Sequence, residues 1–562
     1  RASSSLSHRV AWTARATMAT CVATRVDGQL VQMRAATLEF CGDARSSDRR
    51  KLVFVGRKAA LLSEGARSLV PPKLPADVWE GLVSSVDAGD DGDKASTMFL
   101  GDDGTPATVV AAVLPEACSR HASPVRPHAL SKLVAQGVGS SASAAVIAVL
   151  DDASYVGGAA LAIGRAFPFY QTKTSAATKP DQLVSISFAD SRGTLVPRIP
   201  FDACAAAATA VRRTARIVDV PPDSMSTTEF VKEARATAAR LEASGKSVSV
   251  EVISGEALRE RGYGMLWAVG KAAEEPPALV VLSHVPEGAT ETVALVGKGI
   301  VYDTGGLSLK SKEAMPTMKC DCGGAAAVMS AFEAAVAIGS GTRTLALHCV
   351  LCLAENAIGP GAVRNDDIVR GLSGRTVEIN NTDAEGRLVL GDGVAHCTAI
   401  PPKLPGLSGK QQPDTIIEMA TLTGAQMIAT GMRHAGVVAS HEALERAAVR
   451  AGLHTGDMVH PLPFCPEFYR KEFESKVAEM KNSVKNRNNA QSSCAATFIY
   501  EHLHPEYTGG WLHVDLAGPA WIDDRGTGFG VGLALGLLGV DGFEAAAHEE
   551  GGEQASKRAR TA

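Results

Sequence analysis

From Arg216 onward, short apolar runs alternate with stretches of helical periodicity, and this alternation leaves the chain few architectures to choose from. Strands are expected at 247–253, 278–283, 293–297, 345–353 and 415–419. Helices are expected between them, including 324–337 and 386–397. Parallel strands need long crossovers, so the alternating order predicts an α/β/α sandwich with a mixed, largely parallel sheet covered on both faces. Ligands of such sheets collect beyond the carboxyl ends of the strands. The chemistry is therefore expected in loops just after Gly297 and Met419, and ahead of the helices at Gly324 and Gly386. Upstream, Pro221-Pro222 breaks the chain, and Ser226 with Glu229 forms a capping-box pattern opening a helix to about Ala243.

A chain of 562 residues is long enough for more than one domain. Residues 23–195 read as an N-terminal α/β domain with strands at 109–114, 145–150 and 183–188. Small-residue stretches at 140–145 and 157–166 are expected to open helices. A linker helix is expected within 196–216, followed by the chemistry-bearing domain at 217–545. Residues 1–22, with Arg1, Arg9 and Arg15 among Ser, Thr and Ala, have transit-segment composition; alternatively, Met18 is the start. Residues 546–562 read as a disordered tail, whose Lys557-Arg558-Ala559-Arg560 run is better taken as solvated than as a nuclear signal. Residues 401–412 read as a surface insertion.

Composition excludes several classes. Lys and Arg number 56 against 61 Asp and Glu, a net charge of −5, which disfavours nucleic acid as the general partner. The stretch 526–540 is uncharged but too short and Gly-rich to cross a bilayer, so no membrane partner is expected. Eleven cysteines scattered over this length make no disulfide framework and suit a reducing compartment. Cys349 and Cys352, inside an apolar strand, read as core residues pointing to opposite faces. Cys320 and Cys322 flank a candidate ligand. His513 and Asp515 read as part of a late strand with a structural or supporting role.

Two Gly-rich loops hold the chemistry. One runs from Val296 through Lys298, Asp303, Gly305, Gly306 and Lys310 to Asp321 and Gly323-Gly324; the other is Asn380-Asn-Thr-Asp-Ala-Glu-Gly-Arg387. Brought together, Asp303, Asp321, Asp383 and Glu385 would repel without a counter-charge, and hard oxygen ligands in this number suit one or two divalent cations. Asp383 and Glu385, two apart, can point the same way in an extended loop. Neither loop contains His, which disfavours a His-rich zinc site. Lys298 can ligate a metal as a neutral amine, because a nearby cation lowers a lysine pKa. Lys310 can stay cationic and polarise a carbonyl, and Arg387 offers a fork for carboxylate or bicarbonate.

This combination resembles the leucyl aminopeptidase family of dinuclear peptidases. Asn381-Thr-Asp-Ala-Glu-Gly-Arg-Leu388 matches the family signature. Gly297-Lys-Gly, Asp303-Thr-Gly-Gly, Lys310 and Asp321 match its other metal loop with the spacing intact, and Ala420-Thr-Leu-Thr-Gly-Ala425 matches a third motif. Pro316-Thr-Met-Lys-Cys-Asp-Cys-Gly-Gly, Val377-Glu-Ile-Asn-Asn381 and Asn489-Ala-Gln-Ser-Ser-Cys494 are similar to the branch called probable aminopeptidase-like 1. The resemblance, over roughly 217–540, implies a macro-domain-like N-terminal domain, a peptidase domain, a homohexamer and a cytoplasmic enzyme acting on peptides with a free N-terminus. It implies two divalent ions per subunit, zinc or manganese, with magnesium also compatible. Lys298, Asp303, Asp321 and Glu385 would hold one ion, and Asp303, Asp383 and Glu385 the other. Lys310 would stabilise the oxyanion, and Arg387 would hold a bicarbonate acting as general base. Met318, Thr421, Leu422 and Gly424 would line the substrate pocket. The competing reading is a binding or regulatory protein of the same fold with little or no turnover; the presence of every ligand and both catalytic cations counts against it.

Overall fold

The computed structural model describes residues 22–545 apart from 27–28, 34, 47–49, 102, 174–181, 197–200, 342 and 408–409. The expected leader, but for Val22, and the expected tail fall outside the described residues. Two sheets organise the rest. The first has six strands in the order Thr37–Phe40, Leu183–Asp190, Ser143–Leu150, Lys51–Arg57, Pro106–Leu114 and Asp93–Leu100. All neighbours are parallel except the last pair. Residues 140–145, expected to open a helix, instead lead into the buried strand Ser143–Leu150. Its β-branched Val146, Ile147 and Val149 outweigh the small residues before them. Residues 157–166 do form a helix, Val156–Arg165.

The second sheet has eight strands in the order Val459–Pro461, Ala435–Ala439, Gly510–Asp515, Thr415–Ala420, Glu291–Asp303, Leu345–Asn356, Ala278–His284 and Ser249–Ser254. Its four middle strands, Gly510–Asp515 to Leu345–Asn356, are mutually parallel, and antiparallel pairs flank them. The sheet is therefore mixed with a parallel centre. Helix Gly323–Ile338 packs on one face and Gly386–Thr398 on the other, giving two separate apolar cores. Cys349 joins the first core and Cys352 the second, as alternation requires, and no disulfide joins the described cysteines. The segment Met318–Ile338 is long and apolar enough to cross a membrane, but 83% of its apolar window is buried inside the protein. It is a core helix, and each fully buried side chain such as Phe332 contributes about 1.5–3 kcal/mol.

Helix Phe201–Asp219 runs between the two sheets' layers, against Val156–Arg165 on one side and Gly323–Ile338 on the other. Asp457, fully buried, ties the halves together. It accepts from the amides of Gly530, Gly532 and Leu533 at 3.0, 2.8 and 3.2 Å, and from Arg165 Nη2 at 2.5 Å. One carboxylate thus satisfies the first turn of helix Val531–Leu537 and a cation from the other half of the molecule.

Candidate active site

Strand Glu291–Asp303 is the spine of the site. It lies in the interior of the eight-stranded sheet, parallel to both neighbours. It is longer than the expected 293–297 because Gly297 and Gly299 interrupt the apolar pattern without interrupting the strand. A Cβ at position 297 would lie 2.5 Å from Ala325 Cα, so glycine lets helix Gly323–Ile338 sit directly on the strand backbone. Lys298 and Asp303 consequently lie on the strand and not in a loop after it. Five residues apart, they would face opposite sides of a regular strand. The pairing with Leu345–Asn356 slips between Ile300 and Asp303, which restores Asp303 to the side of Lys298.

The remaining groups arrive from three elements. Asp321 comes on the 3₁₀ turn Met318–Cys322. Asp383 and Glu385 come on a turn, not the extended loop expected, that opens helix Gly386–Thr398, with Arg387 in its first turn. A Cβ at Gly386 would lie 2.6–2.8 Å from the Nζ, Cε and Cδ of Lys298, so only glycine lets that side chain pass. Lys298 Nζ donates to Asp321 Oδ1 at 2.8 Å, Glu385 Oε1 at 3.0 Å and the Thr421 carbonyl at 3.0 Å. Lys310 Nζ reaches Asp303 Oδ2 at 2.8 Å and Asp383 Oδ1 at 2.6 Å. Asp303, Asp383 and Glu385 each bring an oxygen to within 4.8 Å of the others.

Four carboxylates thus face two ammonium groups, and the cluster's titration moves both ways: against burial, the charges of Lys298 and Lys310 hold Glu385 low. Burial, followed by the charge of Glu385, pushes Asp303 up to about 6. Burial raises Asp321 and Asp383 as well. Burial opposes the charges of Lys298 and Lys310, but the surrounding carboxylates outweigh it and hold both protonated. Asp321 Oδ2 and Glu385 Oε2 are buried and accept no hydrogen bond. Unsatisfied carboxylate oxygens in a crowded anionic cluster fit divalent cations, the group this donor set is suited to hold. Arg387 is also buried, its Nη1 has no partner, and burial lowers it to about 10. That arrangement fits an anion beside the carboxylates.

Several positioning residues escaped the sequence reading. Asn356 Nδ2 donates to Asp303 Oδ1 at 2.8 Å and to the Thr382 carbonyl at 3.1 Å, stitching the end of strand Glu291–Asp303 to the turn before Asp383. Fully buried Asn482 accepts from the amides of Asn380 (2.9 Å) and Asn381 (3.3 Å). It donates to the carbonyls of Asn381 (2.6 Å) and Ala384 (3.3 Å). Of the expected pocket residues, Met318 and Leu422 are half-buried and Gly424 is exposed at the start of helix Gly424–Thr430. Thr421 is buried, and its hydroxyl donates to Asp321 Oδ1 at 2.9 Å.

Residues 212–535 match the catalytic domain model of the cytosol aminopeptidase family, and residues 86–176 match an N-terminal domain of M17 aminopeptidases. The chain belongs to the cytosol aminopeptidase family. It is 43% identical over 515 residues to the human protein named probable aminopeptidase NPEPL1, covering 89% of this chain and 92% of the relative. Leucyl aminopeptidase from Trypanosoma brucei in complex with bestatin superposes with a TM-score of 0.80 at 37% identity, covering 90% of this chain and 95% of that one. The Caenorhabditis elegans leucine aminopeptidase LAP1 gives 0.79 at 33%, covering 91% and 100%. Family membership makes this chain a hydrolase of the metalloaminopeptidase class. The cluster just described lies within residues 212–535.

Proposed function

We propose that this cytosol aminopeptidase family member removes single residues from the N-termini of peptides using two divalent ions, zinc or manganese. The observation that carries the reading is the convergence of Asp303, Asp321, Asp383 and Glu385 with two buried carboxylate oxygens left unsatisfied. Lys298, Asp303, Asp321 and Glu385 would hold one ion, and Asp303, Asp383 and Glu385 the other. When bound, the ions supply Lewis acidity, anchoring a free α-amine and lowering the pKa of a water. Lys298 would then ligate as a neutral amine, giving up one of the three protons it now donates to Asp321, Glu385 and the Thr421 carbonyl.

The chain's own groups do the rest. Lys310 keeps its proton and presents a cation where negative charge grows on the scissile carbonyl. Arg387 holds an anion, bicarbonate on the family pattern, whose oxygen takes the proton of the attacking water. Met318, Thr421, Leu422 and Gly424 shape the entry for the first side chain and its amine. The same reading places the protein in the cytoplasm as a homohexamer.

Purified protein loaded with Mn²⁺ or Zn²⁺ should release 4-nitroaniline from a panel of aminoacyl-4-nitroanilides, and N-blocked versions should be inert. Absence of release from folded protein carrying two ions per chain would defeat the reading in favour of a binding protein of this fold.

A further inference from the structure

Beneath the loop Thr421-Leu422-Thr423 lies a buried acid with no part in the mechanism above. Asp515 closes strand Gly510–Asp515 and is fully buried. Its Oδ1 accepts from the amides of Leu422 at 3.2 Å, Thr423 at 3.3 Å and Ala517 at 3.4 Å. Its Oδ2 accepts from the Thr423 hydroxyl at 2.5 Å. Thr423 Oγ1 also lies 2.7 Å from Ser492 Oγ and accepts from the Gln426 amide at 3.1 Å. A single carboxylate therefore fixes two consecutive amides of the loop, Leu422 and Thr423, together with the Thr423 hydroxyl that caps helix Gly424–Thr430.

That loop has a second task. At its leading residue, the Thr421 carbonyl accepts from Lys298 Nζ, and the Thr421 hydroxyl donates to Asp321, 2.9 Å from Oδ1 and 3.0 Å from the carbonyl oxygen. Lys298 and Asp321 are the two groups that the metal reading assigns to one ion alone; Asp383 belongs to the other. The loop also carries Leu422 and leads into Gly424, the expected contacts of the first substrate side chain. A carboxylate held in the dry interior costs several kcal/mol unless charge and hydrogen bonds offset it, and here His513 beside it and the donors of this loop do so together.

We infer that Asp515 is a positioning residue: it sets the Thr421–Thr423 loop so that Lys298 and Asp321 form one half of the metal centre and Leu422 faces the substrate. The inference rests on the proposed two-metal reading. It gives the two halves of the centre separate supports, Asp515 on the Lys298–Asp321 side and Asn482 on the Asp383 side.

The test uses the full chain and Mn²⁺ as the probe. Metal-free wild type, Asp515→Asn and Asp515→Ala are titrated with Mn²⁺ by calorimetry and by the loss of free-ion electron paramagnetic resonance signal. Their kcat and KM are then measured under saturating metal. Wild type should bind two ions. Asp515→Ala should weaken one of the two sites by at least tenfold, leave the other within threefold, and raise KM at least tenfold. Asp515→Asn keeps an oxygen for the amides and a group that can bond Thr423 Oγ1, and should restore both sites to within threefold. Should the alanine variant fail to fold, Thr423→Val, which removes only the Oδ2 bond, should weaken the same site by a smaller factor. Two unaltered Mn²⁺ sites and an unaltered KM in Asp515→Ala, or in Thr423→Val where that variant stands in, would overturn the inference alone. Failure of wild type to bind a second ion would overturn the two-metal reading and the inference with it.

Discussion

Removing the amide of Asn482 should loosen the turn that carries Asp383 and Glu385. The side chain makes four hydrogen bonds to that turn and its approach, two near the usual length at 2.6 and 2.9 Å and two longer ones at 3.3 Å. At about 1 kcal/mol for each good bond and half that for each long one, Asn482→Ala costs the ordered turn about 3 kcal/mol. Tenfold in an equilibrium constant is about 1.4 kcal/mol, so the ordered turn becomes about 10²-fold less favoured. Water entering the space vacated by the amide offsets part of this. An ion that binds only the ordered turn should then lose about 10–100-fold in apparent affinity. Mn²⁺ titration of the metal-free protein reads this directly, and kcat at limiting metal should follow while saturating metal restores most of it. A Kd within threefold of wild type, in a variant whose melting temperature has nonetheless fallen, would refute the reasoning: the bonds would then support the fold and not the site.

Lys310→Ala should lower kcat by about 10²–10³-fold with little change in KM, because it removes a cation needed as charge develops. Its Mn²⁺ affinity should not fall, since Lys310 competes with metal for Asp303 and Asp383; weakened binding would show that Lys310 organises the site instead. Asp457→Ala should cost about 3–5 kcal/mol by stranding Arg165 and three helix amides, read as a lowered urea midpoint, and a loss below 1 kcal/mol would contradict the clasp. Stability should also fall with acid. Burial lowers His348 to about 4 and both His396 and His502 to about 3, against an ordinary value of 6.5. The stabilisation they confer is present above pH 6.5 and is lost as pH falls toward their folded values. With one proton per histidine taken up on unfolding, the loss is roughly 4 kcal/mol per pH unit between about pH 6 and 4.5. Proton uptake below one per molecule in that window would exclude this.

Much of the site was legible because its chemistry is written in charged residues among glycines. Asp303, Asp321, Asp383 and Glu385 announce themselves as carboxylates in Gly-rich loops that also carry Lys298, Lys310 and Arg387. The strand 345–353 and the helix 386–397 were equally plain, since apolar residues dominate the first and recur through the second. What stayed hidden depends on contacts between distant segments. Asn482 and Asn356 are ordinary polar residues in the sequence; only the fold sets one under the Asn381–Ala384 turn and the other beside Asp303. Asp515 read as a late-strand acid, because its partners Leu422 and Thr423 lie on another strand's exit. The end of strand Glu291–Asp303 was misjudged because the glycines that admit helix Gly323–Ile338 look, in one dimension, like the start of a loop. The strand expected at 145–150 begins two residues earlier, at Ser143, and the small residues of 140–145 lead into it instead of opening a helix.

The slipped pairing between Ile300 and Asp303 makes this stretch sensitive to length and tolerant of composition. Apolar side chains there can be exchanged so long as they fill the same space. A one-residue insertion or deletion between Lys298 and Asp303 would cancel the half-turn of the ribbon that the slip provides, turning one ligand toward the wrong core while leaving every ligand in the sequence. A variant library built here should therefore vary identity at fixed spacing, and an inactive relative with all the motif letters intact should first be searched for a gap in these five positions.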